Sequence, residues 1–345
     1  MTLNRNTMIW LAAAGTAVGA YALARRARSL DLQNQVVLIT GGSRGLGFLL
    51  AREFARAGAR VAFCGRDPEQ LRKAQEELEL TGHDVYPVRC DVSDRDQVER
   101  MIDDVTQYHG RIDILINNAG IMEVGPIQTM DLENFERAMK VMFWGPLYAI
   151  HSVLPSMLAR KNGTIVNITS IGGKISFPHL LPYSAAKFAL VGLSEGLQAE
   201  VKNQGVNVIT VVPGFMRTGS YLQGFFAGKQ KQEFEWFALG ATAPLLSMNA
   251  ARAARRIVQA VRMGNPQPIL SLPANLIARF HGLFPGTTNL ILALTNSLLP
   301  GPEQRGFAKG EELQQEIDST LFKKATALGP DAARRYQNQE VREGS

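Results

Sequence analysis

Tyr183 and Lys187 stand four residues apart in Tyr183-Ser184-Ala185-Ala186-Lys187, a spacing that puts both side chains on one face of a helix. A free phenol titrates at about pH 10, too high for efficient proton transfer at neutral pH. An ammonium group close to the ring favours phenolate and lowers that value. The pair could therefore serve as a general acid and base. Ser170, thirteen residues earlier, ends an apolar run and could donate a hydrogen bond to a substrate oxygen. Each feature is weak alone, because helical Tyr/Lys pairs usually decorate surfaces and a strand-end serine usually caps a turn.

A second group of residues points to a phosphate ligand. Directly after the apolar run Val36-Val37-Leu38-Ile39 comes Thr40-Gly41-Gly42-Ser43-Arg44-Gly45-Leu46-Gly47. Glycines between a buried strand and a helix let backbone N–H groups approach a pyrophosphate at the helix N-terminus, where the dipole favours anions. The second apolar run ends at Cys64-Gly65-Arg66-Asp67. A carboxylate at the end of that strand would accept a hydrogen bond from a ribose 2′-hydroxyl. Gly65 and Arg66 stand there instead, and Arg44 lies in the phosphate loop. Two guanidiniums suit a 2′-phosphate, so the reading favours NADP(H). Asp67, one residue too late for the ribose, is expected to cap the helix that begins at Pro68.

These residues need a frame. Short apolar runs recur at Arg60 to Cys64, Asp84 to Val88, Ile112 to Ile116, Gly163 to Ile168 and Val206 to Val212, with Gln267 to Leu272 as a candidate last strand. Amphipathic stretches separate them: Leu46 to Ala57, closed by Gly58; Val98 to Tyr108, with Ser93 as its expected start; and Met248 to Met263. Strands alternating with helices imply a Rossmann-type α/β fold with a doubly wound parallel sheet. The expected division is an N-terminal membrane anchor and polar linker over 1–35, a catalytic domain over 36–272, and a mostly helical C-terminal extension over 273–345.

Taken together, Gly41, Gly45, Gly47, Asp91, Asn117-Asn118-Ala119-Gly120, Ser170, Tyr183, Lys187 and Pro213-Gly214 resemble the short-chain dehydrogenase/reductase family in order and spacing, from about Val36 to Thr218. The resemblance implies a hydride transfer between a nicotinamide cofactor and a carbonyl/alcohol pair, with Ser170, Tyr183 and Lys187 catalytic. Ser170 would orient the carbonyl, Tyr183 would exchange the proton, and Lys187 would bind the nicotinamide ribose. Gly41, Ser43, Arg44, Gly45, Leu46, Gly47 and Arg66 would hold the phosphates. Asp91, with Val92 beside it, would lie at the adenine. Asn118, Ala119 and Gly120 would line the cleft, and Pro213, Gly214 and Thr218 would close over the carboxamide. One position departs from the pattern: Val141-Met142-Phe143-Trp144-Gly145 has Met142 where the family has an asparagine that fixes a helix distortion near the lysine. A membrane-tethered NADP(H)-binding scaffold with degraded catalysis is the alternative reading that this substitution raises.

The net charge of +6 and pI of about 9.4 would suit nucleic acid or an anionic membrane. The basic residues are scattered apart from Arg25, Arg26 and Arg28 and the group Arg252, Arg255 and Arg256, with no aromatic-studded stripe, so nucleic-acid binding is not expected. Cys64 and Cys90 read as buried free thiols, and the five histidines lack metal-ligand spacing. Among them His179, between Ser170 and Tyr183, is expected to be a solvated loop residue bordering the substrate.

Asn6 to Ala24 is uncharged over 19 residues, a length of roughly 28 Å as a helix, about that of a bilayer core. One arginine precedes it and three follow, which places the body on the cytoplasmic side of a single-pass anchor. A secretory signal ending at Ala22-Leu23-Ala24 is disfavoured by those arginines, and a soluble Ala-rich helix is the other alternative. Tyr221 to Phe237 is rich in aromatics where the family places its substrate lid, so a bulky apolar carbonyl substrate is expected. Leu272 to Leu299 contains Pro273, Pro285 and Gly286 and is poor as one spanning helix. An interfacial hairpin touching membrane lipid and a homo-oligomer contact fit it equally.

Overall fold

The computed structural model describes residues 29–336 apart from Gln304; the run read as a membrane anchor lies outside the described residues. In chain order the first strands are β1 (Val36–Thr40), β2 (Arg60–Gly65), β3 (Val85–Arg89), β4 (Ile114–Asn117), the two-residue β5 (Glu123–Val124), β6 (Gly163–Ile168) and β7 (Val206–Val211). All but β5 form one parallel sheet in the order β3-β2-β1-β4-β6-β7. The order reverses between β1 and β4, and in sheets of this type ligands bind in the crevice at the carboxyl ends of the strands flanking that point.

The apolar runs are continuous because each strand is covered on both faces. Val37 and Ile39 of β1 enter one core with Phe63, Ile116 and Val211. Val36 and Leu38 enter a second with Ala62, Leu115 and Val208. The first core is closed by α1 (Gly45–Arg56), which supplies Phe48 and Phe54. Full burial of each contributes about 1.5–3 kcal/mol. Beyond α2 (Pro68–Leu80), the second core is closed by α3 (Arg95–His109), α5 (Gly145–Arg160) and α6 (Leu181–Val201), with the short α4 (Leu132–Met139) leading into α5. As expected, Asp67 caps α2 by accepting from the amides of Glu69 and Gln70, and Cys64 and Cys90 are buried and free.

Several local readings change. The cap of α3 is Asp94, which accepts from the Gln97 amide, while Ser93 turns back to Asp91. Residues 29–35 are not a free linker, since Leu32 is buried in the first core and the Leu30 amide donates to the Arg262 carbonyl. The last candidate strand is reduced to a parallel bridge between Val212 and Ile269. Pro266 and Pro268 lend their carbonyls to Thr210 and Val212 but have no N–H of their own. Leu272 already belongs to the next helix.

The segment after β8 (Phe215–Arg217) folds into a satellite core. Tyr221, Leu222, Phe226 of β9 (Phe225–Phe226), and Phe234 and Phe237 of α7 (Gln230–Thr242) are buried there with Leu313, Ile317 and Ala333. These aromatics pack against one another and the C-terminal extension and do not line an open substrate face. β9 pairs with β5 on one side and with Ala308–Lys309 on the other. Then follow α8 (Ala250–Arg262), an amphipathic helix against α1, and a helical hairpin of α9 (Leu272–Leu283) and α10 (Pro285–Asn296). The only described helix long and apolar enough to cross a membrane is the run Leu132–Arg160, whose inner face includes Val141, Met142, Ile150 and Val153 of the second core.

Candidate active site

The end of β6 and the first turns of α6 bring Ser170, Tyr183 and Lys187 together. Lys187 is buried, and its Nζ donates to the Ile168 carbonyl at 2.8 Å. The same Nζ lies 5.8 Å from the centre of the half-buried Tyr183 ring. The Ser170 hydroxyl bonds to the Tyr183 phenol and accepts from the Gly172 amide at 3.0 Å. Gly172 packs tightly under the ring: a Cβ there would stand 3.0 Å from Tyr183 Cε1, closer than ordinary contact. The Ile171 amide donates to Pro213 at 2.7 Å, tying the Ser170 loop to the end of β7.

Burial raises the Tyr183 pKa, and the Ser170 bond offsets part of that rise. Burial lowers Lys187 to about 8. In the free protein the phenol therefore stays protonated across neutral pH, ready to act as an acid. The ammonium is present below pH 8 and lost above it. We expect kcat/KM for carbonyl reduction, which reports free-enzyme ionisations, to fall as pH climbs through about 8. A profile flat to pH 10 would show that the charge on Lys187 plays no part.

A buried polar ladder under α6 fixes this geometry. Asn117 Nδ2 donates to Asn167 Oδ1 at 2.8 Å and Asn167 Nδ2 donates to Ser194 Oγ at 3.0 Å. Ser194 Oγ meets Thr210 Oγ1 at 2.7 Å. The chain of bonds runs from β4 through β6 to α6 and β7, where the low dielectric makes each bond costly to lose. Asn167, Ser194 and Thr210 were not singled out from sequence, since a lone polar residue in a strand run does not reveal its partner.

The phosphate loop crosses from β1 to α1 beside β4. Thr40 Oγ1 accepts from the amides of Asn118 and Ala119, and Asn118 Nδ2 donates to the carbonyls of Thr40 and Gly41, all within 3.1 Å. Thr40, also missed, is thus the peg that holds the Asn118 to Gly120 stretch. A Cβ at Gly47 would stand 2.0 Å from the Gly41 carbonyl, and Gly41 itself has φ +65°. Only glycine permits this close approach. Ser43 is buried against Gly65, and Leu46 is buried in the first core.

Arg44 is lowered in pKa by burial first and then by the neighbouring Arg66 guanidinium. It donates to Gln223 at 3.0 Å and Gln70 at 3.4 Å. Arg66 Nη1 lies 3.8 Å from Asp91 Oδ2, while the other Asp91 oxygen is taken by Ser93. Two guanidiniums that oppose each other's charge are relieved by an anion between them. The glycine cradle fits the pyrophosphate of a dinucleotide. Thr218 is buried and accepts from the Ser220 amide, and the last helix (Leu328–Arg335) packs Ala333 against Gly219. The Gly45 amide, at the start of α1, donates to the Tyr336 carbonyl at 2.8 Å.

Met142 is buried, with its Sδ below Gly120. A helix distortion is present without the asparagine that fixes it in the family. Lys140–Trp144 forms a π-helical turn between α4 and α5. Gly145 brings that turn close to the Val92 carbonyl, which would meet a Cβ at 2.7 Å. Asn134, two turns away, closes the capping box of α4.

His179 is a correction. It is buried, not solvated, and adopts φ +64°. Its Nδ1 lies 2.8 and 3.0 Å from the two carboxylate oxygens of fully buried Glu233 on α7, and Trp236 Nε1 donates to Glu233 Oε2 at 2.7 Å. The His179 carbonyl accepts from the Gly125 amide. The loop leading to Tyr183 is therefore clamped to both α7 and the end of β5.

Comparisons with known proteins bear on the family and the fold. The short chain dehydrogenase family model matches residues 35–223. The bovine dehydrogenase/reductase SDR family member 7B is 32% identical over 261 residues, covering 73% of this chain and 80% of its own. The uncharacterized oxidoreductase YxjF of Bacillus subtilis is 37% identical over 187 residues, 54% of this chain and 73% of its own. Among solved structures, a short-chain dehydrogenase from Streptomyces avermitilis superposes with TM-score 0.65 and 28% identity over 77% of this chain and 97% of its own. A metagenomic short-chain oxidoreductase in complex with NADP gives TM-score 0.51 and 34% identity over 53% of this chain and 84% of its own. With the sheet order, the glycine turn and the Ser170/Tyr183/Lys187 cluster in place, the chain belongs to the short-chain dehydrogenase/reductase family.

Proposed function

We propose that this protein is an NADP(H)-dependent oxidoreductase acting on the carbonyl or secondary alcohol of a bulky apolar, lipid-like molecule. We further propose that residues 1–28 tether it to a membrane with the catalytic domain on the cytoplasmic side. The observation that carries the reading is the meeting of Ser170, Tyr183 and Lys187 at the end of β6 and the first turns of α6, in the same parallel sheet whose β1 ends in the glycine turn. The cofactor, when bound, supplies the hydride. Ser170 holds the substrate oxygen, Tyr183 donates the proton that the oxygen gains on reduction, and Lys187 keeps a positive charge beside the phenol as it gives that proton up. Gly41, Gly45 and Gly47 let the backbone approach the pyrophosphate. Asp91, Val92, Asn118, Ala119 and Gly120 border the adenosine and ribose, and Pro213, Gly214 and Thr218 the nicotinamide.

The Arg44/Arg66 pair supports NADP(H) over NAD(H), as does the NADP bound to the metagenomic relative. Replacing both arginines by alanine is expected to raise KM for NADPH by about 10–100-fold, the loss of one or two charge-assisted hydrogen bonds, and to leave KM for NADH nearly unchanged. Equal losses for both nucleotides would remove the 2′-phosphate assignment. The test of the whole reading is NADPH and NADH oxidation by detergent-solubilised protein across ketones and aldehydes of graded size. Turnover that rises with apolar length supports the lipid-like substrate; turnover indifferent to it removes that class.

A further inference from the structure

The hairpin of α9 and α10 touches the rest of the protein thinly. Ala274 is the only buried side chain of α9, and Thr288 the only one of α10. Ala274 packs on Ile171 and Ile175 in the loop that follows Ser170, with half-buried Leu292 beside them. Gly214 faces Ser271 and Ala274. The inner face thus rests on the rim of the catalytic cleft. The outer faces and the tip carry Leu276, Leu283, Phe284, Leu290, Leu294 and Leu298, with Leu283 and Leu294 74% and 71% exposed. A contiguous apolar surface of this extent marks an interaction site.

Three features select a lipid surface as the occupant. The exposure of α10 runs around almost its whole circumference, interrupted only by Thr288 and Leu292, one turn apart. A second copy would cover one face, whereas a bilayer surrounds a helix that enters it. Three of the four hydroxyls on and just after α10 are also turned inward, Thr287 near its start being the exception: Thr288 donates to Phe284, Thr295 to Ile291 and Ser297 to Leu294, each to a carbonyl within its own helical segment. Polar groups satisfied inside the helix tolerate an apolar medium. Finally, residues 236–302 contain five arginines and no aspartate, glutamate or lysine. Arg279 projects from α9, and Arg256 donates to the Leu270 carbonyl at the root of the hairpin. An apolar surface flanked by cations alone complements anionic headgroups.

We propose that the α9–α10 hairpin inserts into the anionic face of a bilayer and holds the mouth between Ser170 and Gly214 at the lipid surface. This contact is separate from the N-terminal tether and does not depend on the enzymatic assignment. It would let an apolar substrate pass from the bilayer to the cleft without crossing water.

The test uses the full chain in lipid nanodiscs, with a Leu294→Cys variant carrying an environment-sensitive fluorophore. The two native cysteines are buried. A Leu80→Cys variant, at an 88% exposed position on the end of α2, serves as control. Interfacial insertion of about 5–10 Å predicts that nitroxides high on the acyl chains quench the label at 294, with a blue-shifted emission that aqueous iodide does not reach. The label at 80 should remain open to iodide. Quenching by nitroxide should weaken when phosphatidylglycerol is replaced by phosphatidylcholine, and Arg279→Glu should reproduce that weakening.

Iodide access at 294 equal to that at 80 overturns the proposal. So does label self-quenching that grows with copies per disc without nitroxide contact, since it assigns the face to a second copy. Reduction of a water-soluble aldehyde in the same discs keeps the two readings apart. Normal turnover without lipid contact sinks only the docking, and lipid contact without turnover sinks only the enzyme.

Discussion

Tyr183→Phe is expected to lower kcat by about 10²–10⁴-fold, the range for loss of a positioned general acid, while nucleotide affinity stays near that of the parent. The substitution removes one oxygen and leaves the ring seated on Gly172, so the local fold has no reason to move. Lys187 keeps its bond to the Ile168 carbonyl, and Ser170 keeps the Gly172 amide. Only the proton donor is gone. Single-turnover oxidation of NADPH, set beside a fluorescence titration of the same nucleotide, separates chemistry from binding. Turnover close to the parent's would move the acid elsewhere and return the scaffold reading. That reading drew on Met142, and the π turn at Lys140–Trp144 persists with methionine in place.

The second large effect is structural. Glu233→Leu leaves His179 and the Trp236 indole without their shared acceptor inside the protein. Stranding a buried donor costs about 1–3 kcal/mol, so the two together should move thermal unfolding down by roughly 3–9 °C for a chain of this length. His179→Leu in the same background removes the stranded partner and should recover part of the loss. Because His179 stands four residues before Tyr183 in a clamped loop, kcat should fall with the single change even well below the unfolding temperature. A Glu233→Leu protein with parental melting would mean that the clamp is not needed to hold α7 against the Tyr183 loop. Calorimetry on the single and double variants decides it.

The sheet was legible because its strands are covered on both faces, which writes each as a largely apolar run, and Val36 to Ile39 needs no partner to be recognised. Tyr183, Lys187 and the glycine turn were legible because their spacing is local. What could not be read depends on contacts between residues far apart in the chain. Glu233, within Gln230-Lys231-Gln232-Glu233, has the look of a surface charge, and only His179, 54 residues away, explains its burial. The lid aromatics signal a hydrophobic face equally well whether it meets a substrate or the C-terminal extension, and the structure gives the extension. Leu32 sits in a polar stretch with nothing local to announce its burial. The hairpin break, by contrast, follows from Phe284-Pro285, since proline ends one helix and starts the next.

The bond between the Gly45 amide and the Tyr336 carbonyl bears on how tightly a dinucleotide can be held. A phosphate seated at the start of α1 cannot simply add to that amide, because the donor is already engaged. Binding there is an exchange in which one acceptor leaves as another arrives. The gain is the difference between a charge-assisted and a neutral hydrogen bond, about 1 kcal/mol, and not the whole strength of the new one. The C-terminal helix thereby lowers what a phosphate at that one amide can contribute, from the opposite end of the chain.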